Sequence, residues 1–230
     1  MNADEICSQL RGMGSAANVA GMARLGINSQ NTLGISVTAL REVAKPIRKE
    51  LRSQPDEAHA LAGELWASGI HEARQLAEMI EVPALVMPEQ MDAWTADLDS
   101  WDVCDGLAMG LWPRTPYAVE KAVEWAARDE EFVRRCSFAT MAALAFKRHD
   151  LPDEAYEPFF ALIKEYATDE RNFVKKAINW ALRQIGKRNE ALLVLAIDVA
   201  RELEATDSRS ARWIAKDALR ELLPRLSTRG

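Results

Sequence analysis

A repeat spacing constrains this chain more than any other feature. Phe132-Val133-Arg134-Arg135 is followed 41 residues later by Phe173-Val174-Lys175-Lys176, and 40 residues after that by Trp213-Ile214-Ala215-Lys216. Each has an aromatic residue, a branched aliphatic one, and a base at the fourth position. Each opens a run of small and aliphatic residues. Ile70-His71-Glu72-Ala73-Arg74 looks like a weaker member of the same series. A period near forty with two helices per unit is the HEAT/armadillo pattern. One such unit cannot bury its own apolar face, so neighbours must stack. The expected fold is therefore an all-α, right-handed α-solenoid (superhelix) of HEAT/armadillo-like helical repeats, with residues 1–230 forming a single domain. A non-repetitive helical bundle is the alternative.

The helices themselves follow from periodicity. Segments 56–68, 117–128, 131–147, 154–166, 172–186 and 190–204 place Ala, Leu, Val and aromatics at i, i+3, i+4 spacing. Pro55, Gly69, Pro83, Pro88, Pro113, Pro116, Pro152 and Gly186 read as breakers between them. Asp56 and Asp153, each just after a proline, read as helix starts. Alternating strand patterns are nearly absent. Gly12-Met13-Gly14 follows no strand and lacks a third glycine, so it reads as a turn before a helix rather than a dinucleotide loop.

Composition narrows the function classes. With 230 residues, 48% hydrophobic and 28% charged, the chain has an ordinary globular balance. No apolar run approaches the roughly 18 residues that span a bilayer. The acidic start, Met1-Asn2-Ala3-Asp4-Glu5, lacks the basic-then-apolar order of a signal peptide. Cys7, Cys104 and Cys136 are odd in number and show neither disulfide nor zinc spacing, which suggests a reducing cytoplasm. His59, His71 and His149 are scattered without metal spacing. The net charge of -6 argues against a polyanionic partner, yet it is unevenly spread. Residues 1–133 hold 11 Lys/Arg and 21 Asp/Glu; residues 134–230 hold 18 and 14. The later part is either a contact surface for an anion or a mixed solvated surface with a chance bias.

Trp101 and Asp105 stand four positions apart in Ser100-Trp101-Asp102-Val103-Cys104-Asp105, so on a helix they share a face. Asp102, next to Trp101, reads as a solvated residue facing elsewhere. Trp66, Trp94, Trp112, Trp125 and Trp213 read as packing residues.

Several blocks in order resemble the AlkD-type DNA alkylation repair proteins, the HEAT-like-repeat alkylpurine DNA glycosylases. They are Met22-Ala23-Arg24 with Leu33-Gly34-Ile35, Glu64-Leu65-Trp66, Trp101-Asp102-Val103-Cys104-Asp105, Phe132-Val133-Arg134-Arg135, and the run from Phe173 to Arg183 that contains Trp180. The resemblance covers about residues 20 to 190. It implies a concave DNA-binding cleft in which Asp105 stands near the deoxyribose, Trp101 and Trp180 pack on the sugar, and Arg135 holds the backbone. Lys176, Arg183 and Ser36 would add DNA contacts. The implied protein is a monomer without cofactor or metal, acting on double-stranded alkylated DNA and not on membranes.

The chemistry is coherent with that implication. Alkylation at N3 or N7 makes a purine a cationic leaving group, and cleavage builds oxocarbenium-like charge on the sugar. A fixed carboxylate stabilises that charge, and each Trp face adds about 0.5–2 kcal/mol by cation–π attraction. Bland readings stand beside these: both tryptophans as core residues, Asp105 in a structural ion pair, and Arg135, Lys176 and Lys216 as repeat-stabilising bases. The chain also departs from the family pattern. Leu25 stands where the resembled enzymes carry an aromatic hydroxyl, and Ser36 where a glutamine tends to occur. A non-catalytic module for distorted DNA and a protein-interaction scaffold are therefore the alternative functions.

Overall fold

A computed structural model describes residues 2–227; Met1 and residues 228–230, which the single-domain expectation included, lie outside it. Thirteen α-helices and no strand occur among the described residues. The expected helices are present: 56–68 corresponds to α4 (Pro55–Ala67), 117–128 to α8 (Ala118–Ala126), 131–147 to α9 (Glu131–Lys147), and 190–204 to α12 (Glu190–Glu204). Segment 154–166 is a 3-10 turn at Asp153–Tyr156 leading into α10 (Glu157–Tyr166). The chain divides into two compact units, Met1–Thr115 and Pro116–Gly230.

The second unit is built from stacked helix pairs. Helix α9 packs on α8, α11 (Asn172–Arg188) on α10, and α13 (Arg209–Ser227) on α12; α11 also packs on both α9 and α13, and α10 on both α8 and α12. Two parallel rows of helices result, as repeat stacking requires. The recurring tetrapeptides explain the register. Val133, Val174 and Ile214 are buried at 2%, 0% and 0% exposure. The Phe132 and Phe173 rings meet at 5.5 Å, and Lys175 Nζ lies 5.6 Å from the Trp213 ring. Trp213 is 41% exposed, so it is a surface platform for that ammonium group and not the packing residue expected.

Two further expectations need correction. Gly186 does not break a helix; it lies inside α11, where a Cβ would come within 2.8 Å of Ala196 Cβ and 3.0 Å of Leu222. Its role is close approach of three helices. Helix α9 is not amphipathic either: every residue from Val133 to Ala145 is buried. It lies between α8 and α11, and a helix covered on both sides needs apolar or small residues all round.

A polar ladder ties the loops of this unit together. Arg134, 8% exposed, donates to Ala126 O (2.9 Å), Asp169 (3.0 Å) and Asp129 (3.1 Å). Arg171 donates to Asp169 and to the Asp129 carbonyl. Burial alone would raise the Asp169 pKa. Hydrogen bonds from the Arg171 side chain and backbone and from Arg134 outweigh that and lower it to about 2.

The first unit centres on α5 (His71–Ile80), which packs on α1 (Ala3–Met13), α3 (Val37–Glu50), α4 and α7 (Trp101–Gly106). Seven of its residues, His71 through Ala73, Gln75 through Ala77, and Ile80, are buried. Glu72, at 0% exposure, accepts three backbone N–H groups, from Leu33 (2.8 Å), Gly34 (2.6 Å) and Ile35 (3.1 Å). A buried carboxylate needs such partners. Gly34 makes the turn possible: its φ is +84°, and a Cβ would lie 2.3 Å from Ser15 O.

Candidate functional site

Helix α7 carries the first half of the expected site. Its inner face is set by Val103 and Cys104, both buried, and by Leu107, Ala108 and Leu111, buried in the π-helical turn Leu107–Leu111 that continues it. The remaining face presents Trp101 and Asp105, both partly exposed. Three hydrogen bonds pin the start of α7 to the loop that follows α2 (Ala16–Arg24). Trp101 Nε1 donates to Leu25 O (3.1 Å), Asn28 N to Ser100 Oγ (3.2 Å), and Asn28 Nδ2 to Asp99 (2.6 Å). This anchors the indole by its only polar atom. Leu25 itself is 66% exposed and, with Met22, Arg24 and Ser36, borders a shallow hollow. Ser36 is exposed, and its side chain caps α3 by accepting from Ala39 N at 3.2 Å.

Asp102 departs from its expected solvated position. It accepts from His71 Nε2 at 2.8 Å and from Gln75 Nε2 at 3.0 Å, with its side chain 13% exposed. Burial would lower the His71 pKa; the hydrogen bond to Asp102 and the charges of Asp102, Glu72 and Asp99 outweigh it, and the net shift is upward. Burial would raise Asp102, and the His71 hydrogen bond and charge bring it below the usual aspartate value. The pair locks α7 onto α5. No sequence pattern links the two, because the partners are 31 residues apart.

Glu78 is the other residue that sequence reasoning missed. Its carboxyl lies against Gly106, where a Cβ would fall 2.2 Å from Oε2. Burial, with the charges of Asp102 and Asp105, pushes its pKa well above the ordinary glutamate value, and Arg41 opposes this only in part. The Glu78 carboxyl therefore backs the α7 turn that holds Asp105, and glycine at 106 makes room for it.

The second unit carries the other expected residues. Arg135 is 7% exposed; it donates to Phe173 O at 2.8 Å and lies 5.9 Å from the Phe173 ring. On α11, Lys176, Trp180, Arg183 and Lys187 share a face by i, i+4, i+7 and i+11 spacing. Lys176 is exposed, and Trp180 is partly buried against the unit's core. With the Gln184 amide turned so that its oxygen accepts, it receives Trp180 Nε1 at 3.2 Å. Arg183 and Lys187 both bind Glu221, at 2.6 and 2.8 Å, and Arg183 Nε lies 3.7 Å from Asp217. The bases of the recurring tetrapeptides thus do not form one uniform row: Arg135 is buried, while Lys176 and Lys216 are exposed.

Stacked helix pairs with a ring-and-carboxylate face define an all-helical HEAT-like repeat protein. The fold is similar to that of one solved structure in particular. A protein from a family described as related to the HEAT-like repeat DNA glycosylases, with affinity for branched DNA structures, superposes with a TM-score of 0.74 at 19% identity, covering 96% of each chain. A designed armadillo repeat protein aligns with a TM-score of 0.39 at 15% identity, covering 80% of this chain and 92% of that one. Comparison with curated proteins finds no match. The family model described as DNA alkylation repair enzyme matches residues 6–222, and the chain belongs to that family.

Proposed function

We propose that this protein is a monofunctional DNA glycosylase that hydrolyses the N-glycosidic bond of N3- and N7-alkylated purines in duplex DNA and leaves an abasic site. The observation that carries the reading is the outward face of α7, where Trp101 and Asp105 stand one helical turn apart on a helix fixed by Leu25, Asn28 and His71. Asp105 acts as an anion: it stabilises positive charge developing on the deoxyribose and orients the attacking water. Trp101 offers its electron-rich face to that charge, and the family resemblance assigns Trp180 the same role. Arg135, Lys176, Arg183 and Ser36 contribute to holding the DNA backbone. No metal or other cofactor enters the reaction, the protein acts as a monomer, and residues 1–230 work as one repeat domain in the cytoplasm.

A second reading, a non-catalytic module for distorted DNA, draws on two observations. The solved relative is described as having affinity for branched DNA, and Leu25 exposes an aliphatic surface beside Trp101. Incubation of purified protein with methylated duplex DNA separates the two. The enzyme releases 7-methylguanine, and Asp105→Asn lowers that release by orders of magnitude while DNA affinity stays within a few-fold. An unaltered chain that binds DNA and releases no base from any alkylated duplex supports the second reading.

A further inference from the structure

The first unit is acidic, with 9 Lys/Arg against 16 Asp/Glu in residues 1–115. Five of those nine cations, Arg41, Lys45, Arg48, Lys49 and Arg52, fall within twelve residues, on α3 and the 3-10 turn Leu51–Ser53. All five are exposed, whereas Leu40, Val43, Ala44 and Ile47 of α3 are buried. At 3.6 residues per turn the five occupy an arc of roughly 100° and a length of about 16 Å. Glu42 pairs with Lys45 at 2.6 Å at the edge of that arc.

A hollow gives this face a shape: at the C-terminal end of the row Arg48 and Arg52 flank a depression floored by Ile47, Leu51, Pro55 and Val82. A row about half a duplex turn long suits successive backbone phosphates. Guanidinium groups beside an aliphatic floor suit a phosphate next to the unstacked face of a base pair, which the centre of an open junction supplies and a continuous duplex does not.

We propose that the basic face of α3 is a DNA-backbone contact separate from the α7 site, and that it holds one arm of a branched duplex with the hollow at Arg48 and Arg52 against the branch point. This rests on the chain being a DNA-binding protein; it does not require base excision. The test is binding of the full chain, and of the combined variant Arg48→Ala, Lys49→Ala, Arg52→Ala, to a four-way junction and to a linear duplex across a range of salt. These side chains are exposed, and circular dichroism checks that the variant folds. The expected result is a loss of about tenfold or more on the junction, with a salt slope smaller by about 2 to 3, and a change within about twofold on the linear duplex. Arg48→Lys with Arg52→Lys restores the slope. Equal losses on both DNAs, or none on the junction, overturn the proposal and leave the DNA reading intact. If the unaltered chain binds neither DNA at low salt, both fall. If a polyglutamate peptide binds through these residues while junction affinity ignores them, the face belongs to an acidic protein partner and the proposal is wrong.

Discussion

His71 and Asp102 form a half-hidden ion pair, 2.8 Å apart, with side chains 4% and 13% exposed. The folded His71 pKa lies above its ordinary value of 6.5, and folded Asp102 lies below 3.8. The signs give opposite limbs. The raised histidine contributes stability that is fully present below about pH 6.5 and is lost as pH climbs through its folded pKa. The lowered aspartate contributes stability present above about pH 4 and lost as pH falls through its own folded pKa. Imidazole NMR signals should therefore show His71 titrating above 6.5, and Asp102→Asn should move that titration down. A His71 midpoint unmoved by Asp102→Asn would mean that the pair does not set it. Because α7 depends on this pair for its seat on α5, the same variant should also weaken whatever Trp101 and Asp105 do. This residue-level tie was invisible beforehand: a lone histidine and one acid among many carry no pattern until the fold brings them together.

Helices in the second unit are held by two devices that the repeat period alone does not reveal. One is steric. Gly186 lets α11 approach Ala196 and Leu222, and the distances open to a Cβ, 2.8 and 3.0 Å, demand that neighbours shift. Gly186→Ala should gain roughly 1 kcal/mol of helix propensity and lose about 1–3 kcal/mol to overpacking. A net loss in urea-unfolding stability is expected, and a net gain would show that the interface yields freely. The other device is electrostatic. Asp169, lowered from 3.8 to about 2, binds Arg134 and Arg171 between successive repeats. A depressed carboxyl stabilises above its unfolded pKa, so this contribution of about 2 kcal/mol holds above pH 4 and disappears as pH falls through 2. Asp169→Asn should flatten the acid limb of the stability curve between those values. An unchanged acid limb would assign it to other carboxylates. Helix positions were legible because apolar spacing marks them directly. Gly186 was misread because a helical glycine that permits close packing has the same local signature as one that ends a helix.

The whole chain was more legible in its second unit than in its first. A period near forty repeats the same aromatic and aliphatic positions, so Val133, Val174 and Ile214 could be assigned to one buried register from spacing alone. The first unit relies instead on single polar links across long stretches of sequence, such as Glu72 to the Leu33–Ile35 amides and Asn28 to Ser100. Such links have no periodicity to read. Of the candidate site, the α7 face carrying Trp101 and Asp105 followed from spacing, while Arg183 was expected to be a phosphate contact and is found bound to Glu221 at 2.6 Å. That engagement bears on DNA affinity at the level of the molecule. With a net charge of -6, the chain has little attraction to spare for a polyanion, and its own carboxylates compete with phosphates for the cations of α11. Glu221 alone occupies both Arg183 and Lys187. Replacing it by glutamine removes that charge, which frees Lys187 from it and leaves Arg183 beside only the more distant Asp217, 3.7 Å from its Nε. Each added phosphate contact steepens the salt slope by about 0.9. Glu221→Gln should therefore bind duplex DNA more tightly at low salt and show a slope steeper by roughly 1 to 2. If the slope stays as in the unaltered chain, the face of α11 that carries Trp180 does not touch the backbone through Arg183 or Lys187, and the DNA path must be sought on other helices.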